Sequence, residues 1–421
     1  MALTTPAPLE SAWEGALAAA LGRTVDPRAL ALMVERQSRR YRGEDVPLAR
    51  GDELAARALF WLPRDLPKAA LPIAELSAAG ALPLRPLRVL DLGAGLGATS
   101  LGLARALPPG ASVGSLTAVD RDADALALLR RVTAEARSRG LIPAIPELVT
   151  ETRDLARAHW DAGLGTYDLV TVGLALVEVT RGLADESARG QGIAALLRVA
   201  LPHVSPDGAL VVLEPAGRDD ARALQRARDA LAAEGVTVFA PCPHARGCPM
   251  LANPTDWCHE DLADASLPPW LVPVARAAGL RWEGLTFSYL VLRRDGRTLA
   301  AHAVSSAGGA GVPLRLLSPP LVTKGKTEVV ACGDLPPGTS TRLMELQRAA
   351  RDARETSHGL LADTARGDVI TVAAEVAARA EPGRPLRVAP GDWSVTPSAG
   401  SSGRGSPAPT GAAGGRTGSP R

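Results

Sequence analysis

Arg88-Val89-Leu90-Asp91-Leu92-Gly93-Ala94-Gly95-Leu96-Gly97 is the stretch on which the fold turns. Its first half is a short apolar run, the pattern of a strand buried on both faces. Its second half alternates glycine with small or apolar residues and leads into residues 99–106, patterned as a helix. Glycines permit a tight turn and let backbone come close to a ligand. The helix that follows points its unpaired N–H groups toward the same place.

Reading outward, strand patterns recur at residues 116–120, 147–152, 167–172 and 209–214, with Ala- and Leu-rich helical segments between them. Strands alternating with helices imply a mostly parallel sheet covered on both faces. Residues 236–240 and 287–292 supply a sixth and a seventh strand. The expected fold is therefore α/β and Rossmann-like. The spacing Asp91-x-Gly93-x-Gly95-x-Gly97 departs from the Gly-x-Gly-x-x-Gly of dinucleotide folds. It resembles motif I of the class I S-adenosylmethionine-dependent methyltransferases. That resemblance implies S-adenosylmethionine seated against Asp91, Gly93, Gly95 and Gly97, with Asp120 on the ribose hydroxyls and Asp154 near the adenine edge. Residues 204–212 resemble the turn before strand five of that superfamily. Dinucleotide binding and a sheet that binds nothing are the alternatives.

All four cysteines fall in one region. Cys242 and Cys248 lie in Pro-Cys-Pro-His-Ala-Arg-Gly-Cys-Pro, Cys258 in Trp-Cys-His, and Cys332 downstream in Val-Val-Ala-Cys-Gly-Asp. Thiolates are natural ligands of zinc and of iron–sulfur clusters, so metal binding is the first reading. Two disulfides fit poorly with a long chain whose opening Met-Ala-Leu-Thr-Thr-Pro lacks the features of a secretion signal. Inert core thiols are the remaining alternative. Pro241-Cys242 also looks like the nucleophile of cytosine C5 methylation, a role closed to a thiolate that ligates a metal.

A chain of 421 residues with 46% hydrophobic content has material for more than one domain. No apolar run reaches the ~20 residues of a membrane span. Net charge is +2, which excludes a polycation. Only Lys68, Lys324 and Lys326 are lysine, against 44 arginines, so a compositional bias accounts for the arginines before phosphate binding does. The organisation expected is a helical N-terminal region (1–85) and a methyltransferase-like domain (86–300) with a Cys-bearing insertion at about 240–265. A small β-rich C-terminal region (301–389) and a disordered Gly/Ser/Pro/Arg tail (390–421) follow. Within the first region, Asp26-Pro27 reads as a helix start. Arg36, Arg39, Arg40 and Arg42 around Tyr41 read as a solvated helix end or as a phosphate-contacting face. The Pro-rich residues 63–86 read as a linker or an irregular connection.

The glycine loop, Ala240-Pro241-Cys242-Pro243-His244, Trp257-Cys258-His259, Phe287-Ser288-Tyr289-Leu290-Val291-Leu292 and Lys324-Gly325-Lys326 before Cys332 together resemble one family. It is the methyltransferase-like family of small-ribosomal-subunit assembly proteins, known from mitochondria and with bacterial relatives. The resemblance implies a 4Fe–4S cluster on Cys242, Cys248, Cys258 and Cys332. Zinc is the alternative, with His244 or His259 replacing a thiolate. It also implies small-subunit rRNA and proteins as partners, with rRNA contact at Lys324 and Lys326. A solvated strand edge is the competing reading of those lysines. Expected besides are a cytoplasmic location, no membrane and a monomer off the ribosome. Methyl transfer to rRNA stays open. Residues 172–178 (Val-Gly-Leu-Ala-Leu-Val-Glu) hold no polar clamp for an amine, Glu178 and Glu214 suit structural roles equally well, and no catalytic residue is assigned. The competing functions are an active rRNA methyltransferase with a structural zinc and a redox- or iron-responsive RNA-binding regulator.

Overall fold

The computed structural model describes residues 9–262, 265, 267–335, 342–346, 360–381 and 383–396. The chain opens with helices α1 (Ala12–Leu21), α2 (Pro27–Tyr41) and α3 (Arg50–Ala56). Asp26 caps α2 by accepting from the N–H groups of Arg28 and Ala29, with Pro27 in the first turn. A π turn (Arg57–Trp61), α4 (Leu62–Asp65) and a 3₁₀ turn (Leu66–Ala69) carry α3 into α5 (Ala70–Ala78). The linker expected over 63–86 is thus helical as far as Ala78. Pro63 and Pro67 each fall in the first turn of a new short segment, where a missing N–H is harmless. Trp13, Phe60, Leu66 and Ile73 pack this region into the main core.

The α/β domain follows as β1 (Pro86–Leu92), α6 (Ala98–Ala106), β2 (Ser112–Asp120), α7 (Ala123–Ser138), β3 (Glu147–Thr152) and β4 (Tyr167–Gly173). It continues through α8 (Leu176–Thr180), α9 (Glu186–Ala200), β5 (Val204–Glu214), α10 (Arg218–Ala233), β6 (Thr237–Ala240), β7 (Glu260–Leu262), α11 (Val272–Ala277) and β8 (Leu285–Arg293). The strand order is β3-β2-β1-β4-β5-β8-β6, with β7 also on β8. Pairs from β3 through β5 are parallel, whereas β8 runs antiparallel to both β5 and β6. This is the Rossmann-like class I methyltransferase fold, with β7 as a strand the sequence did not suggest. The order reverses between β1, which extends toward β2, and β4, which extends toward β5. Ligands of open α/β sheets sit at such a switch point, beyond the strands' C-terminal ends.

After α12 (Leu299–Ser306) come β9 (Val312–Leu316), β10 (Leu321–Val322), β11 (Lys326–Gly333), β12 (Arg342–Leu346), β13 (Val369–Val372), β14 (Leu386–Val388) and β15 (Trp393–Thr396). They form one sheet ordered β14-β12-β11-β9-β13-β15, with β10 on β11, around Leu314, Leu316, Leu343, Ile370 and Trp393. β15 corrects the tail boundary at 390: Trp393 is buried and its strand pairs with β13 along four residues. Polar neighbours had hidden one anchoring aromatic. The rest of the expected tail, 397–421, lies outside the described residues. Among the described residues no helix is long and apolar enough to cross a membrane.

Candidate functional site

The glycine loop forms the floor of a cleft of about 800 Å³ at the switch point. Gly93 and Ala94 donate their N–H groups to Val119 O (2.8 and 3.0 Å), which ties the loop to β2. Gly93 has φ +69°, and a Cβ there would stand 2.4 Å from the Cβ of Ala175 in the segment after β4. Only glycine lets these two loops touch. Asp120, at the end of β2, accepts from Gly95 N (2.7 Å) and Asp122 N (2.9 Å). Asp154, just past β3, accepts from Ala156 N (3.0 Å). Gly93, Gly95, Asp120 and Asp154 all line the cleft.

Two of the expected cofactor residues stand behind it. Asp91 is buried under the loop, where Thr171 Oγ1 donates to it at 2.8 Å. Burial pushes its carboxyl up to about 6 against the hydrogen bonds from Thr171 and Ser100. Gly97 starts α6 with φ +82°, against Leu129. Glu214 is likewise a buried structural group. It accepts from the N–H groups of Leu176 (2.9 Å) and Val177 (3.3 Å) and so anchors α8, while burial raises its carboxyl to about 8. Glu178 reaches the cleft 3.5 Å from Arg121.

The far wall comes from the N-terminal helices, which the motif reading passed over. Gln37, Tyr41, Arg57, Trp61 and Asp65 all face the cleft. Arg57 bonds Asp122 at 2.7 Å and approaches Gly95 so closely that a Cβ there would lie 3.0 Å from its Nη2. The basic cluster is largely neutralised. Arg39 and Arg42 pair with Glu44, and Arg40 pairs with Glu53. The solvated-helix-end reading fits these pairs better than a phosphate face. Acidic residues just beyond the cluster, at 44 and 53, were the available signal.

The four cysteines converge. Cys242 follows β6, Cys248 and Cys258 lie in the insertion, and Cys332 sits on β11 opposite Arg315 of β9. All four, with His244 and His259, line one cavity of about 50 Å³. His244 Nε2 stands 3.3 Å from Cys332 Sγ. All four are free thiols, and among the described residues no group of His, Cys, Asp or Glu is placed to hold a metal ion. Burial, reinforced by the neighbouring thiols, pushes Cys248 up to about 11 and Cys332 to about 12. Burial and nearby arginines push His244 and His259 down to about 4. At neutral pH the site therefore presents protonated thiols and neutral imidazoles.

Buried arginines hold the insertion in place. Arg222 Nη1 donates to the carbonyls of Met250, Asn253 and Asp256 (3.1, 2.8 and 2.6 Å), and Arg228 donates to those of His244 and Arg246. Cys248 N donates to Asp229 at 2.8 Å. Arg315 bonds both Glu75 of α5 (2.8 Å) and Glu260 of β7 (3.0 Å), and the Tyr289 hydroxyl donates to Glu75 (2.7 Å). That buried node joins all three regions of the chain beside Cys332. Lys326 pairs with Glu328 at 2.9 Å on β11, which lies between β12 and β9 with β10 also paired to it, so this strand is not the sheet edge considered for the lysines.

A family model described as mitochondrial small ribosomal subunit Rsm22 matches residues 73–358. No curated protein matches the chain. Solved structures similar to it include magnesium protoporphyrin IX methyltransferase from Synechocystis, at 14% identity and TM-score 0.30, with 64% of this chain and 98% of that one covered. Another is precorrin-6y C5,15-methyltransferase from Geobacter metallireducens, at 15%, 0.28, 52% and 85%. A third is the ribosomal protein L11 methylase of Lactobacillus delbrueckii, at 13%, 0.28, 52% and 77%. Overlaps this slight do not bear on what the chain does.

Proposed function

Because this chain belongs to the mitochondrial small ribosomal subunit Rsm22 family, we propose that it is a methyltransferase-like assembly protein of the small ribosomal subunit that binds S-adenosylmethionine. The observation that carries the cofactor reading is the meeting of Gly93, Gly95, Asp120 and Asp154 in one cleft at the sheet's switch point. Backbone at the glycine loop admits the methionine portion. Asp120 still has lone pairs for ribose hydroxyls beyond the two N–H groups it accepts. Asp154 and Leu155, on the same cleft, would bound the adenine end. Of the segment after β4, Leu174, Ala175, Glu178 and Val179 line the cleft, and the polar one, Glu178, lies 3.5 Å from Arg121, so holding rRNA is proposed ahead of methyl transfer. Calorimetric titration of the full chain with S-adenosylmethionine tests this. Saturable binding, weakened at least ~10-fold in Asp120→Asn, is expected; equal affinity in the variant, or no binding at all, would overturn it.

The same proposal carries a 4Fe–4S cluster on Cys242, Cys248, Cys258 and Cys332, whose side chains line one cavity. Its donor set is all thiol; burial raises the Cys242 pKa, and the guanidiniums of Arg228 and Arg315 oppose that rise, as cations that offset thiolate charge do. His244 Nδ1 and His259 Nδ1 are buried without partners among the described residues, which suits them to supporting positions around ligated sulfur. A single zinc on the same thiols, with His244 or His259 in place of one, is the alternative. When bound, a cluster would supply a cross-link between the insertion and β11. The thiols must lose protons to bind it, so loading is coupled to pH and to local folding. Contact of Lys324 and Lys326 with rRNA belongs to the same proposal.

A further inference from the structure

The cleft has two chemically different walls. At about 800 Å³ it lies in the upper part of the ~300–1,000 Å³ range of small-molecule sites. The glycine loop, Asp120 and Asp154 account for one end. The opposite wall belongs to the N-terminal helices and has its own chemistry. Tyr41 and Trp61 meet edge to face with centroids 5.4 Å apart, and the Arg64 guanidinium lies 5.0 Å from the centre of the Trp61 ring. Gln37 is only 4% exposed, and its Oε1 has no hydrogen-bond partner among the described residues. An amide oxygen so placed is an acceptor in want of a donor. Trp61 Nε1 is a buried donor, also unpartnered among the described residues. Asp65, buried and paired to Lys68 at 2.7 Å, adds a second acceptor. An acceptor (Gln37 Oε1) and a donor (Trp61 Nε1–H) beside aromatic faces are costly to bury unmatched. Arg181 and Arg121 stand at the mouth, both exposed.

We infer that this wall is a binding site for one unstacked nucleobase carrying an exocyclic amine beside an acceptor ring nitrogen, as cytosine and adenine do. The amine donates to Gln37 Oε1 and toward Asp65, the ring nitrogen accepts from Trp61 Nε1–H, and the base packs on the aromatic faces. Single-stranded RNA is read in this way, by stacking and edge hydrogen bonds, while arginines at the rim meet its phosphates. In the same pose uracil reverses the pattern: O4, an acceptor, faces Gln37 Oε1, and N3–H, a donor, faces Trp61 Nε1–H. The inference rests on the cofactor reading, because it concerns the space that S-adenosylmethionine leaves free.

The test is fluorescence anisotropy of the full chain, with S-adenosylmethionine present, against labelled hexamers of C, A and U. The C and A hexamers are expected to bind at least ~10-fold tighter than U. Gln37→Leu should erase that preference. Trp61→Phe, which keeps a ring and removes the N–H, should reduce it several-fold, and melting curves check that both variants fold. Equal binding of the three hexamers, or a preference that survives Gln37→Leu, would overturn the inference. A silent S-adenosylmethionine titration would instead fell the reading beneath it.

Discussion

In the glycine-loop cleft, the groups at the floor are mostly backbone, delivered by one contiguous stretch from Asp91 to Gly97 and tied to its neighbour strand through Val119 O. At the cysteine junction they are side chains, drawn from β6, the insertion and β11, and kept there by Arg222, Arg228 and Arg315. The first site tolerates little change in the size of its residues, since a Cβ at Gly93 collides with Ala175. The second depends on charge, since each pinning arginine is buried and must stay matched. A site made of backbone is specified where it is encoded. A site made of long-range ion pairs is only as stable as the packing of the regions it joins.

The largest effect is expected at the junction. Arg315→Ala would leave Glu75 and Glu260 buried without their cation, at a cost of about 3–5 kcal/mol, read by urea denaturation of the full chain. A loss below about 1 kcal/mol would show that the three regions hold together without this node, and would break the contrast drawn above. A smaller, more selective effect is expected from Cys332→Ser. Iron and sulfide content after anaerobic purification should fall sharply, with a lower melting temperature, while S-adenosylmethionine affinity changes less than ~3-fold. Zinc in place of iron and sulfide in the unmutated protein would refute the cluster. The smallest effect concerns the buried support behind the cleft, at Glu214. Burial holds the Glu214 carboxyl at about 8, above its ordinary 4.5. The folded state therefore retains a proton that the unfolded chain has released. The stability this contributes is full below pH 4.5 and is lost as pH rises toward 8. Glu214→Gln should flatten the pH dependence of the melting temperature across that window; an unchanged slope would show that other groups carry it.

Different parts of the molecule were legible to different depths. The alternation of apolar runs with Ala/Leu helices gave the five parallel strands, because a buried parallel strand must be apolar on both faces. The sixth and seventh were placed to within a few residues. Residues 63–78 were misjudged because proline frequency was read without proline position. The short strand Trp393–Thr396 was lost among polar neighbours. Convergence of the four cysteines was expected from their economy in the sequence, and Cys332 does reach the same cavity as the other three. Their arginine supports had no such signature, for arginine is abundant throughout the chain.

What the sequence determined by itself was whatever local chemistry dictates: the strand-to-helix turn, the register of its glycines, and a parallel sheet with a ligand seat at its edge. Only the tertiary structure decided that α2 and the π turn at Arg57–Trp61 would wall that seat, that Glu75 would meet Arg315 across 240 residues of chain, and that Glu214 would brace a helix instead of facing a ligand. Periodicity and turn chemistry act between neighbours in sequence. The partners of a buried charge are set by which elements the core brings together, and no short stretch of residues records that.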